Sequence, residues 1–264
     1  MMQRLLTNAG PIAHLAGSGP ISGYIEDESS LVSEYGLAIL VEDHIIKKIG
    51  PTEELLSEFS DSEILDLGGK AIIPGLVDSH THLLWSGDRS REVSWRQKGL
   101  TYREIAAKGG GIAATVLPTR QSSDSELAHL GIERMREALR NGTTHMEEKS
   151  GYGLDTKTEL RLLTIAESIS AIQGLPSLDL TWLGAHAAPP SSTIDSYFED
   201  IISEQLPAIL EQGIARSADV FCEPGWFNIE QTEEIMKASR DGGLDLRLQI
   251  DEFEDGGGGE LAAE

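Results

Sequence analysis

Short apolar strands alternate with amphipathic helices from residue 71 to the end of the chain. The strand candidates are rich in aliphatic residues, and the helix candidates carry apolar stripes with a spacing of three to four residues. This alternation is typical of a parallel sheet with helical crossovers, in an open sheet or a closed barrel. The five strand candidates are Ala71 to Val77, Thr143 to Glu147, Leu178 to Ala185, Asp219 to Cys222, and Leu244 to Ile250.

Three helix candidates begin at residue pairs with capping-box spacing, in which two side chains satisfy the first free backbone N–H groups. The spacing predicts helices over 124–141, over 156–173, and from 229 to about 240. The first of them closes on an Asn-Gly pair, a common helix end. The pairs are Ser123 with Glu126, Thr156 with Glu159, and Asn228 with Gln231.

The chain has too few residues after position 70 to close a full (β/α)8 barrel, which takes about 250 residues. We therefore predict an α/β fold with an incomplete barrel of about five βα units over residues 71–264. Residues 1–70 form a separate region of short strands and turns. Within it, Tyr35 to Ile49 has the pattern of a β-hairpin.

Composition narrows the class of protein. The chain has 264 residues, a formal net charge of −23 and a sequence pI of about 4.6. The electrostatic field of this negative charge opposes binding to nucleic acid and to anionic membranes. An anionic ligand would therefore need a local cation on the protein. A single cysteine, Cys222, excludes an internal disulfide, and no run of 18 apolar residues occurs. We expect a cytoplasmic protein.

The strongest chemical signal is the segment PGLVDSHTH at residues 74–82. His80 and His82 are two residues apart, so on a strand their side chains point to the same side. Barrel enzymes keep their sites at the carboxyl ends of the strands, and neutral imidazole suits zinc, iron and similar metals. The pair therefore predicts a metal site, with a chance pair in a loop as the alternative.

The chain resembles the imidazolonepropionases, a family of the amidohydrolase superfamily, from about residue 64 to its end. Each motif alone is weak, but their order and spacing together are specific. The motifs that follow the histidine pair are SGDR at 86–89, GLTYREIA at 99–106, GGGI at 109–112, E-x-KSGYGL at 147–154, LGAH at 183–186, DVFCE at 219–223, and DEF at 251–253 with GG-x-ELAAE ending at 264.

The resemblance implies roles for residues that composition alone would not select. Arg89 would hold the carboxylate of the substrate, Tyr102 and Tyr152 would contact substrate through their hydroxyls, His186 would contact its ring, and Glu252 would carry a proton. Each residue also has an ordinary alternative role. Arg89 would form a surface salt bridge, and the two tyrosines would pack half-buried. His186 would be a structural histidine, and Glu252 would be one more acidic loop residue.

The chain departs from the family at the third metal ligand. Where the family has histidine on the fifth strand, two residues before Asp-Glu-Phe, this chain has Gln249. An amide oxygen is a poor zinc ligand compared with imidazole. The sequence also stops before the family's sixth-strand histidine and eighth-strand aspartate, so we expect a C-terminally truncated barrel. The cofactor implied by the resemblance is one divalent ion, zinc or iron.

The resemblance implies a TIM-like amidohydrolase barrel at 71–264 and part of a small β-sandwich at 1–70. Its implied activity is hydrolysis of 4-imidazolone-5-propanoate to N-formimino-L-glutamate in histidine degradation, with a small-molecule substrate. Alternatives are another cyclic amidohydrolase or deaminase of the superfamily, or an inactive fragment. Because an unclosed barrel exposes strand edges, we also expect a homo-oligomer.

Overall fold

The computed structural model describes residues 3–13, 31–33 and 35–263, so parts of the region 1–70 lie outside the described residues. The chain divides into two compact units, residues 1–75 and 76–264. Among the described residues, no helix is both long and apolar enough to cross a membrane.

The first unit contains a four-stranded sheet in the order β5-β4-β1-β6 and a two-stranded pair, β2 with β3. The predicted hairpin is confirmed, because β4 and β5 pair antiparallel around Asp43 and His44, both at positive φ. Leu5, Leu40 and Leu55 are buried against one another. The elements are β1 (Gln3–Thr7), β2 (Ile12–Ala13), β3 (Val32–Ser33), β4 (Leu37–Glu42), β5 (Ile45–Pro51), α1 (Thr52–Glu58) and β6 (Glu63–Asp66).

The second unit is built on five parallel strands in the order β11-β10-β9-β8-β7. This parallel sheet with helical connections is the incomplete α/β barrel that the sequence predicted. The strands are β7 (Leu76–Thr81), β8 (Thr143–Lys149), β9 (Ser177–Ala185), β10 (Ser217–Cys222) and β11 (Asp245–Ile250).

Helices pack against this sheet and bury one continuous apolar core that includes Trp182, Met135 and Ile169. A π-helical turn, Ile201–Gln205, leads into α8. The helices are α2 (Arg91–Gln97), α3 (Tyr102–Ala107), α4 (Ala113–Gln121), α5 (Asp124–Arg140), α6 (Thr156–Ser170), α7 (Ile194–Asp200), α8 (Leu206–Gln212), α9 (Ile229–Asp241) and α10 (Gly258–Ala263).

Two local predictions were wrong. The first barrel strand begins at Leu76 rather than Ala71, because Pro74 has no N–H to offer a strand neighbour. Helix α6 is capped by Asp155, whose side chain accepts from the Thr158 N–H at 2.7 Å, and not by Thr156. Glu159, the predicted partner in that capping box, bonds elsewhere. The capping boxes of α5 and α9 are present as predicted.

Candidate active site

The carboxyl ends of the five parallel strands lie along one edge of the sheet, and the predicted site residues lie at this edge. His80 is on β7 and His82 follows it directly. Tyr152 lies in the loop after β8, and His186 comes one residue after β9. The parallel arrangement thus brings together residues more than a hundred positions apart.

Three histidines and one tyrosine form a tight aromatic group. The ring of His82 stacks on that of His186 with centroids 5.1 Å apart, and lies 4.8 Å from the ring of Tyr152. His80 lies 5.8 Å from His82, edge to face. His80 is exposed, while His186 is buried.

Backbone carbonyls determine which ring nitrogen is free in the half-buried His82 and in the buried His186. Nδ1 of His82 lies 3.1 Å from the Lys149 carbonyl, and Nδ1 of His186 lies 2.8 Å from the Gly151 carbonyl. A carbonyl only accepts, so each Nδ1 carries the proton and each Nε2 has a free lone pair. Burial lowers the pKa of His82 well below its usual value and that of His186 to about 4. Both rings are therefore neutral near pH 7, the form that binds metals.

Gln249 does not complete a metal site. Its Nε2 donates to Oδ2 of Asp219 at 2.8 Å, which leaves only the amide oxygen as a possible ligand atom. Within the described residues, no three His, Cys, Asp or Glu side chains are placed to hold a metal together. The imidazoles of His80 and His82 suit a divalent transition metal, but they are two ligands where zinc normally takes at least three from protein.

A buried layer of charges lies beside Gln249. Nζ of Lys149 bonds to Glu147 at 2.8 Å and to Asp219 at 2.6 Å, and all three side chains are buried. Arg247 bonds to Glu147 and, at 2.7 Å, to Asp179. Such burial is tolerated because each charge has an oppositely charged partner. Oε2 of Glu147 lies 2.8 Å from Nζ of Lys149, whereas Oδ1 of Asp219 lacks a hydrogen-bond partner among the described residues.

Arg89 is held by a carboxylate of its own chain. Its Nε and Nη2 donate to the two oxygens of Glu92 at 2.9 and 2.8 Å, and Glu92 also accepts from the Gly111 N–H at 2.8 Å. The bonds from Arg89 lower the pKa of the Glu92 carboxyl. Burial raises the pKa of Tyr152, and the charge of nearby Arg89 opposes that rise. Arg89 and Tyr152 thus share one electrostatic environment.

Tyr102, the first residue of α3, belongs to an aromatic cluster that also includes β10 and the loops after β10 and β11. Its ring stacks on Phe253 at 5.3 Å and lies 5.9 Å from Trp226, while Phe221 lies 5.3 Å from Trp226. The sequence analysis did not select Trp226 as a site residue. Its position just after β10, at the carboxyl end of a strand, could have indicated it. Burial raises the pKa of Tyr102, and the charge of Glu252 adds to this rise.

Glu252 lies just beyond β11, and its side chain is exposed. Its backbone N–H donates to Glu223, a buried carboxylate that also accepts from the Phe253 N–H at 3.4 Å. Glu223 is the last residue of the DVFCE motif, although sequence reasoning gave it no role. Glu252 thus lies next to Phe253, whose ring stacks on that of Tyr102.

Comparison with known proteins gives both sequence and fold relatives. The chain is 41% identical over 244 residues to the imidazolonepropionase of Shewanella woodyi and 39% identical over 266 residues to that of Symbiobacterium thermophilum. These matches cover 89% and 98% of this chain but only 59% and 62% of the relatives. The chain thus spans about six tenths of the relatives' length. No protein-family model matches the chain.

The structure resembles solved structures of a deaminase and a chlorohydrolase. It matches the 5-methylcytosine deaminase of Klebsiella pneumoniae with a TM-score of 0.60 and 15% identity, over 95% of this chain and 52% of that one. It matches a zinc complex of the atrazine chlorohydrolase of Arthrobacter aurescens with a TM-score of 0.53 and 14% identity, over 94% and 52%. At these identities the likeness shows the fold alone.

Proposed function

We propose that this chain belongs to the imidazolonepropionase family of the amidohydrolase superfamily and serves the hydrolysis of 4-imidazolone-5-propanoate to N-formimino-L-glutamate. The observation that carries the proposal is the placement of His82, His186, Tyr152 and Arg89 at one edge of the sheet. This group offers free imidazole nitrogens next to a cation that can hold a carboxylate. The relatives named above, at about 40% identity, support the same substrate.

The proposed cofactor is one divalent ion, zinc or iron, for which His80 and His82 would supply two imidazole ligands. When bound, such an ion lowers the pKa of a water molecule and polarises a carbonyl group. Gln249 stands where the family has its third metal ligand, and its amide oxygen would bind the ion more weakly than the two imidazoles.

The residues of the chain would bind and orient the substrate and transfer a proton to it. Water adds to the ring carbonyl carbon, the cyclic C–N bond breaks, and the ring nitrogen takes up a proton. We assign this proton to Glu252, and the orientation of the ring to the free Nε2 of His186. Burial keeps His186 neutral, so it can accept a hydrogen bond from a ring N–H.

Arg89 would bind the propionate carboxylate with the N–H groups that Glu92 does not use. The pairing with Glu92 holds the guanidinium in one orientation before the ligand arrives. A chain with a net charge of −23 repels an anion at long range, so this local cation matters for affinity. The hydroxyls of Tyr152 and Tyr102 are the proposed neutral contacts. We further propose that the enzyme works in the cytoplasm.

The test is calorimetric binding of 4-imidazolone-5-propanoate to the chain with zinc or ferrous ion present, alongside dihydroorotate and guanine. We expect binding of the first ligand only. Arg89→Met should weaken it about 10- to 100-fold, because a hydrogen bond to a charged group is lost. Arg91→Met, a nearby exposed position, is the matched control. Equal binding of dihydroorotate or guanine, or no effect of Arg89→Met, would reject the proposed substrate.

A further inference from the structure

The loop of residues 151–154, which follows β8, is held by a fully buried carboxylate. Glu159 on α6 is 0% exposed. Its two oxygens accept from three backbone N–H groups, those of Gly151 at 2.9 Å, Gly153 at 2.7 Å and Leu154 at 2.9 Å. One side chain thereby satisfies nearly every donor of a tight turn, and the turn has little freedom to rearrange.

A cation holds the same loop by its carbonyl groups. Arg120 donates from Nε to the Gly153 carbonyl at 2.6 Å and from Nη2 to the Leu154 carbonyl at 2.9 Å. Leu154 has a φ of +52°, a left-handed conformation that costs energy for a side chain of this kind. Glu159 binds the backbone N–H groups of the loop and Arg120 binds its carbonyl groups, so together they stabilise that conformation.

The loop carries Tyr152 and contacts His186, both residues of the proposed site. The carbonyl of Gly151 accepts from Nδ1 of His186, and this bond leaves Nε2 of His186 free. Gly151 has a φ of +104°, and a Cβ there would lie 2.8 Å from the Leu183 carbonyl oxygen, so only glycine fits. The next residue, Tyr152, places its ring 5.3 Å from that of His186.

Helix α6 does not need Glu159 for its own start, because Asp155 caps it. Burying a carboxylate costs free energy unless hydrogen bonds compensate for the lost water. All the backbone N–H groups that compensate here belong to the loop. Glu159 therefore acts on loop 151–154 and, through it, on Tyr152 and His186.

We propose that Glu159 is a positioning residue, which acts with Arg120 through loop 151–154 to orient Tyr152 and to select the Nδ1–H tautomer of His186. As a statement about catalysis, this rests on the proposed function. The geometric part of the proposal does not depend on the proposed function, and it can be tested on the chain without substrate turnover.

The experiment measures two properties of the ¹⁵N-labelled chain by NMR at neutral pH. The first is the hydrogen-exchange rate of the amides of Gly151, Gly153 and Leu154. The second is the tautomer of the His186 ring, read from its two ¹⁵N shifts. Glu159→Gln keeps the shape of the side chain, yet leaves one oxygen to accept three N–H groups. We expect exchange about 10- to 100-fold faster at these amides, and a mixture of His186 tautomers.

Two control variants on α6 separate positioning from general loss of stability. Glu167→Gln makes the same chemical change at an exposed site. Ile169→Val removes a buried methyl group from the core and lowers stability modestly without touching the loop. Both should leave the His186 tautomer unchanged. If Glu159→Gln does not fold, Arg120→Met, at a side chain that is 31% exposed, should shift the tautomer in the same direction.

A single His186 tautomer in a folded Glu159→Gln or Arg120→Met variant would overturn the proposal, even if the amides exchange faster. A shift that Ile169→Val reproduces would overturn it as well, because stability alone would then account for it. Failure of 4-imidazolone-5-propanoate to bind would reject the proposed function, whereas these NMR results would stand or fall separately.

Discussion

The chemistry of the site depends on which side-chain atoms are already engaged by the protein. Asp219 accepts from both Lys149 and Gln249 through one oxygen, and so turns the amide nitrogen of Gln249 inward. Arg89 gives two of its N–H groups to Glu92. In both cases a buried carboxylate decides which atoms of a neighbouring residue remain available to a ligand.

Replacement of Gln249 by histidine should raise the affinity for zinc by at least the roughly 10- to 100-fold that outer-shell changes produce. The reason is that imidazole is a better zinc ligand than an amide oxygen. Elemental analysis after dialysis should find well under one equivalent in the unsubstituted chain. Gln173→His, at an exposed position, controls for an added histidine. Stoichiometric, chelator-resistant metal in the unsubstituted chain would contradict this account.

At the scale of elements, helix packing controls where the strand ends lie. Helix α5 packs on α6, and Gly131 lies at this contact. A Cβ at Gly131 would come within 2.8 Å of Leu84 and 2.9 Å of Ile169. Leu84 follows β7 by three residues, so this close contact also bears on the segment that carries His82.

Gly131→Ala should therefore destabilise the chain, although alanine is the better helix former. Overpacking a core typically costs about 1–3 kcal/mol, which equals or exceeds the gain of about 1 kcal/mol from helix propensity. Urea denaturation followed by circular dichroism measures the difference. Ser125→Ala, at an exposed position of the same helix, is the control. Stabilisation by Gly131→Ala would mean that α5 and α6 lie farther apart than the structure shows.

At the scale of the whole molecule, buried carboxylates couple stability to pH. Glu148 is buried and accepts from the backbone N–H groups of Leu83 and Leu84. Burial raises the pKa of Glu148 from 4.5 to about 8. Because the folded-state pKa is raised, its contribution to stability is complete below about pH 4.5 and is lost as the pH rises to about 8.

Glu148→Gln should remove this part of the pH dependence. We expect the free energy of unfolding of the unsubstituted chain, relative to the variant, to fall by a few kcal/mol between about pH 4.5 and 8. Thermal or urea unfolding across that range gives the comparison, with the exposed Glu167→Gln as control. Parallel pH profiles for the variant and the unsubstituted chain would show that the folded state does not bind this proton.

Self-association is expected from the sheet of the second unit. Strands β7 and β11 are its edges among the described strands, and Val77 on β7 is 64% exposed. Unpaired edges with apolar side chains invite pairing with another chain. Light scattering should therefore give a mass above 28.6 kDa. Val77→Glu should lower that mass, while Val93→Glu on α2 should not. A monomer at all concentrations would contradict the expectation.

The sequence by itself determined the five parallel strands, three of the helices between them, the hairpin in residues 35–49, and the position of the histidine pair. These features depend on local periodicity and on motifs of a few residues, which can be followed along the chain. The family resemblance also rested on such short motifs, and relatives about 40% identical to the chain carry the same family name. Two of the three capping boxes were correct for the same reason.

Only the tertiary structure decided which partners the polar side chains would find. Glu159 has capping-box spacing from Thr156, yet it bonds to the loop that carries Tyr152. Lys149 and Asp219 are 70 positions apart and meet because parallel strands end at one edge. A buried charge binds the nearest group that compensates for lost water, and packing determines which group that is. Spacing along the chain carries no information about such distant partners.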